Sequence, residues 1–135
     1  MHYFLGKTEP DHDYSIDDLA RDGETLWDGI HNALALRHVS TMCPGDRLFI
    51  YHSGKAKRVV GLAEVTTKPA PNPSDPRNTW AVRVKFLEKY EEGPILADFK
   101  AVPEFADFAL VRQGRLSLMP VPQDIADWIL LQVKK

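Results

Sequence analysis

The chain has 135 residues, 44% of them hydrophobic and 27% charged, which fits one folded domain over residues 1–135 and excludes a disordered chain. Its formal net charge of −2 excludes binding to long nucleic acid through bulk electrostatics alone. The single cysteine, Cys43, excludes an internal disulfide, and no apolar run reaches the roughly 20 residues of a membrane helix.

A reducing, cytoplasmic setting without membrane contact is the expectation, since the first residues lack the basic-then-apolar layout of a secretory signal. Cys43 precedes Pro44-Gly45 and is expected to be structural rather than reactive. Charge is unevenly spread: residues 1–28 hold eight acids against two basic side chains, and residues 31–68 hold six basic side chains against two acids. A basic middle segment suits either a phosphate-bearing ligand or an ordinary mixed surface.

Tyr3 to Glu9 reads as a first strand that stops at Pro10. Alternation puts Tyr3, Leu5, Lys7 and Glu9 on one face and Phe4, Gly6 and Thr8 on the other. Asp11-His12-Asp13 is a polar turn, and Ser15 with Asp18 forms a capping box for a helix from Ile16 to about Arg21. Trp27-Asp28-Gly29-Ile30-His31-Asn32 follows, and Asn32 is placed to cap a helix carrying Leu36, Val39 and Met42. Leu48 to Tyr51 is apolar on both faces, as a central strand is. Ser53-Gly54-Lys55 then turns the chain into Val59 to Val65, giving a hairpin with Lys55, Lys57 and Arg58 at its basic tip.

Four prolines within residues 69–78 predict an irregular loop. The next strand is expected to point Trp80, Val82, Val84 and Phe86 inward and Arg83 and Lys85 outward. Leu96 to Ala101 and Pro103 to Asp107 read as short helical turns, whereas residues 110–119 fit no clear period. A final amphipathic helix spans about Pro122 to Val133, with Ile125, Trp128, Ile129 and Val133 in one stripe. Mixed strands and short helices around a hairpin indicate an α+β class.

Glycine-rich dinucleotide loops, Walker loops and nucleophile elbows are missing. The histidines His2, His12, His31, His38 and His52 show no metal-ligand spacing, so no metal and no cofactor is expected.

Six segments together carry a resemblance. They are Tyr3 to Pro10, Tyr14 to Leu19, Trp27 to Asn32, Gly45-Asp46 to Tyr51-His52-Ser53-Gly54, Val59 to Val65, and Leu110 to Ser117. In this order they resemble the EVE domain family of the PUA-like superfamily, over nearly the whole chain. The resemblance implies a PUA-like pseudo-β-barrel of roughly five or six mostly antiparallel strands flanked by short helices. It also implies binding of a modified base in DNA or RNA, notably modified cytosine, by a monomer without catalytic residues. Phe4, Thr8 and His31 stand where the family commonly has Trp, Ser and Arg. Ala33-Leu34 replaces a frequent Tyr-Gln pair, leaving the wall beside Asn32 more open and apolar.

Reading an extruded base requires flat walls for its faces and fixed polar groups for its edge. Trp27 is either such a wall or a core tryptophan, while Trp80 and Trp128 lie in amphipathic patterns and are expected in the core. Asn32 offers a donor and an acceptor to a base edge, or else caps its helix. By resemblance, Lys7, Glu9 and Pro10 line the pocket at the end of the first strand. Trp27 and Asn32 then face Tyr51, His52 and Ser53 across the barrel mouth, and Arg112 and Gln113 close another side. Lys55, Lys57 and Arg58 are candidate phosphate contacts.

The rival function is a small amidohydrolase acting on a modified nucleoside. Some ASCH-type relatives cleave acylated cytidine with a Lys, a Thr and a Glu, and Lys7, Thr8 and Glu9 offer the same trio. Strand alternation sends Thr8 away from the other two, which disfavours that site.

Overall fold

A computed structural model of the chain describes residues 1–77 and 79–135. The strands are β1 (Tyr3–Thr8), β2 (Glu24–Trp27), β3 (Arg47–His52), β4 (Arg58–Val65), β5 (Ala70–Pro71), β6 (Trp80–Lys89) and β7 (Leu118–Val121). The helices are α1 (Ile16–Asp22), α2 (Ala33–Val39), α3 (Leu96–Lys100), α4 (Ala109–Arg112) and α5 (Gln123–Gln132), with a 3-10 turn at Pro103–Phe105.

The strands hydrogen-bond in the order β2-β6-β4-β3-β1-β7, with β5 beside β6. β1 and β3 run parallel and the other pairs antiparallel. Register irregularities between Ile50 and Tyr51, and between Leu62 and Ala63, bend the central strands. The sheet rolls over on itself. A Cβ on Gly6 in β1 would lie 3.1 Å from Nε1 and Cζ2 of Trp27 in β2, four strands away in the pairing order. Helix α2 packs against both β6 and β7 and closes the remaining gap.

Two glycines make the interior possible. Gly6 pairs with Ile50, which pairs with Gly61, so the two glycines share one face of the sheet. The Trp27 indole fills the space above Gly6, and the Ile16 side chain occupies the space a Cβ on Gly61 would take. The opposite face carries Leu5, Phe49 and Tyr51, with Tyr3 stacked on Phe49 at 5.3 Å between ring centroids. It is sealed on the α5 side by an aromatic cluster in which Trp128 meets Phe99 at 5.0 Å and Phe105 at 5.1 Å, both edge-on.

Local signals place several elements as expected. Ser15 accepts from the Asp18 N–H while Asp18 accepts from the Ser15 N–H, a complete capping box. Trp128 is packed into the aromatic cluster. Other elements differ. β2 and β7 carry no alternation that marks them, and within the expected loop at 69–78 the short strand β5 pairs with β6. Asn78 of that loop lies outside the described residues. Trp80 is 44% exposed rather than inward: it lies at the start of β6, before the residues that pair with β2 and β4, and its partner there is Pro71 of the two-residue strand β5. Cys43 is exposed in the turn before β3, where its N–H donates to the buried Asp46 carboxylate. Among the described residues, no helix is long and apolar enough to cross a membrane.

Candidate functional site

Where the end of β1 meets the end of β2, the rolled sheet leaves a cavity of about 380 Å³. Lys7 and Thr8, Asp13 and Tyr14, Thr25 to Ile30, and Ser117 line it. Backbone and hydroxyl bonds hold these walls. The Lys7 N–H donates to the Ser117 carbonyl at 2.8 Å, and the Thr8 hydroxyl donates to the Tyr14 carbonyl at 2.7 Å. The Tyr14 hydroxyl donates to Asp22 at 2.7 Å, which ties the wall to the end of α1. Gly29 turns the chain away from β2 with φ +74°, a conformation other residues resist. Trp27 is 8% exposed, so one indole is both core and cavity wall.

A second cavity, of about 210 Å³, opens on the other face of β1. Its lining comprises Lys7, Tyr51, Ser53, Gly54, Lys57, Leu96, Leu110 and Gly114. The register explains the division: Lys7 pairs with Tyr51 on one face, while Gly6, beneath Trp27, pairs with Ile50 on the other. Trp27 and Tyr51 therefore do not face each other across one mouth. They line separate cavities, and Lys7 is common to both.

The remaining expected residues distribute as follows. Glu9 does not pair with Lys7; its Oε2 accepts the N–H groups of Asp11 at 3.0 Å and His12 at 2.8 Å. Pro10 lines neither cavity. Asn32 also lies outside both, because its side-chain oxygen caps α2 by accepting from Leu34 at 2.9 Å and Ala35 at 3.0 Å. His52 Nε2 accepts the Ile16 N–H at 3.1 Å and so serves the start of α1 rather than either cavity. Arg58 donates through Nε to the Gly93 carbonyl at 2.9 Å, and Lys55 is exposed in the hairpin turn. Arg112 pairs with Asp107 at 3.0 Å, and Gln113 is exposed; Gly114 and Ser117, just beyond them, supply the walls instead. Sequence reasoning passed over Asp13, Tyr14, Thr25 and Asp28. Only their position beside the Lys7 and Trp27 motifs marked them.

Burial sets the electrostatics. The Lys7 ammonium is held below the usual lysine range by desolvation, donates to the Gly114 carbonyl at 3.0 Å, and lies 5.9 Å from the Tyr51 ring centroid. Burial pushes the Tyr51 hydroxyl up to about 12. It also lowers His52, outweighing nearby carboxylates led by Asp17 and Glu9. The first cavity thus offers an aromatic wall, hydroxyls and two carboxylate acceptors at Asp13 and Asp28. That set suits a flat, hydrogen-bonding ligand.

A rolled mixed sheet with a cavity between its first strand and an inward tryptophan defines a PUA-like domain. Within that class the chain belongs to the EVE domain family, whose profile matches residues 2–132. A protein of Rhodopseudomonas palustris with an NMR structure is 33% identical, covering 96% of this chain and 90% of that one, at a TM-score of 0.86. A hypothetical protein from Leishmania major is 33% identical over 97% and 93% of the two chains, at 0.87. Human THYN1, crystallised in complex with 5-methylcytosine containing DNA, is 25% identical over 97% and 96%, at 0.85. An ASCH protein from Zymomonas mobilis, 10% identical at a TM-score of 0.62, shares the fold alone. No curated protein sequence matches the chain.

Proposed function

We propose that the chain reads a modified nucleobase in nucleic acid by taking the extruded base into the 380 Å³ cavity beside Trp27. The observation that carries this reading is a buried indole whose ring forms one wall of an open, polar-rimmed cavity. An extruded base gains roughly 1–3 kcal/mol by stacking on such a ring. Its edge then needs partners. Asp13 and Asp28 accept from an exocyclic amine, and a hydroxyl from Thr25 or Ser117 donates to a ring nitrogen or carbonyl, a pattern that suits cytosine-type or adenine-type bases over thymine or uracil. The 5-methylcytosine containing DNA held by human THYN1 favours the cytosine type, with DNA as the first polymer to test.

A binding role accords with the state of Lys7, Thr8 and Glu9. Each is engaged elsewhere: Lys7 with the Gly114 carbonyl, Thr8 with the Tyr14 carbonyl, and Glu9 with two backbone N–H groups. A hydrolase would need all three turned toward one substrate. Incubation with acylated cytidine is expected to release no cytidine, and turnover lost in Lys7→Ala would reverse the assignment.

The direct test is binding to oligonucleotides with and without 5-methylcytosine, read by fluorescence anisotropy. Trp27→Ala is expected to weaken binding to the modified strand by about 5- to 150-fold, the equivalent of one lost stack. Because Trp27 also packs on Gly6, Trp27→Phe and Asp28→Asn accompany it, with melting curves to verify folding. Wild-type affinity in a folded Trp27→Ala protein would place the ligand elsewhere.

A further inference from the structure

The second cavity has a composition that the reading of a single base does not use. Its bed is apolar, from Tyr51, Leu96 and Leu110, and its rim carries the ammonium groups of Lys7 and Lys57 with the Ser53 hydroxyl. No carboxylate lines it. Glu9 lies beside it, with Oε1 2.9 Å from where a Cβ on Gly54 would lie and Oε2 already held by two backbone N–H groups. Among the described residues, no carboxylate forms an ion pair with Lys7, although its ammonium is partly withdrawn from water. Cations in such places are ordinarily paired.

We propose that this cavity holds the nucleotide that flanks the read base, with its phosphate on Lys7 and Lys57 and its base on Tyr51, Leu96 and Leu110. The proposal rests on the base-reading role of the first cavity and names what lies next to it. Three features support it. Lys7 borders both cavities, so the two open beside one residue at the end of β1. A volume of about 210 Å³ falls below the roughly 300 Å³ at which sites for whole drug-sized ligands begin, and suits one fragment of a nucleotide. The lysine pair complements a phosphate, while the Tyr51 ring gives a flat surface for stacking.

The test compares short single strands with one central 5-methylcytosine, in which each flanking nucleotide in turn is replaced by an abasic residue. In the wild-type protein, one of the two replacements is expected to weaken binding about tenfold. Leu96→Trp, which fills the cavity from a partly exposed position, is expected to abolish that sensitivity, whereas Lys57→Gln, which keeps the stem but not the charge, is expected to weaken all the strands and to make binding less salt-dependent. Equal affinity for all flanks, or a flank effect that persists in Leu96→Trp, overturns the proposal. A second arm separates it from the base reading. Thymidine 5′-monophosphate, added to protein labelled at leucine methyls, is expected to shift Leu96 and Leu110 in both wild type and Trp27→Ala. Absence of those shifts rejects the subsite even if modified bases are read. Shifts without any preference for 5-methylcytosine retain the subsite and reject the base reading alone.

Discussion

Single residues decide where this chain is hollow and where it is filled. Gly6 leaves room for the Trp27 indole, and that one contact draws β2 over β1 and creates the cavity beside it. His52 shows the same economy in a hydrogen bond, accepting the first N–H of α1 from the end of β3. Its imidazole must stay neutral to accept, and burial holds its pKa below the ordinary 6.5. Because the folded pKa is depressed, this stabilisation is full above about pH 6.5 and fades as the pH falls toward the folded value. Lowering the pH from 7 to 5 is therefore expected to reduce the melting temperature more in wild type than in His52→Gln. His38, also lowered by burial, titrates equally in both proteins and cancels in the comparison. Identical pH profiles would show that the bond to Ile16 contributes nothing to stability.

At the scale of elements, what the sequence reveals is what its neighbours in the chain decide. The capping box of α1 and the Asn32 cap of α2 are local, so both are legible from spacing. The strand β7 is not, because Pro120 removes a ladder donor and is tolerated only at a sheet edge, a position set by the tertiary fold. Trp80 misleads for a similar reason: alternation gives its face, but its partner is the two-residue, exposed strand β5. The candidate site follows the same rule. Lys7 and Trp27 stand out by motif, while Asp13, Thr25 and Ser117 reach the cavity only when distant elements meet. Asn32 offers a clean discrimination between its two sequence roles. Asn32→Ala is expected to cost about 1 kcal/mol of stability, measured by urea unfolding, and Asn32→Ser to restore most of it. Loss of modified-base preference in a stable Asn32→Ser protein would instead return this residue to the ligand.

For the molecule as a whole, a net charge of −2 means that affinity must come from the cavities rather than from a basic surface. With Lys7 and Lys57 as the phosphate contacts, the logarithm of the binding constant for a single strand should fall with the logarithm of salt concentration at a slope of about −1.4. A slope steeper than about −5 would require a broader basic footprint than these two lysines provide. The α+β class was legible in the mixed order of strands and short helices around a hairpin, and the barrel-like closure in the resemblance that six segments carry in order along the chain. The separation of Trp27 from Tyr51 was not, since it depends on which face of β1 each side chain meets after the sheet has rolled.

The bond from the Lys7 N–H to the Ser117 carbonyl carries a consequence for the order of folding. It joins residues 110 positions apart in the chain, so the cavity that Lys7 and Trp27 begin is completed only when the segment before β7 docks on β1. Contacts of such long sequence separation close after local ones, which makes this wall a late product of folding.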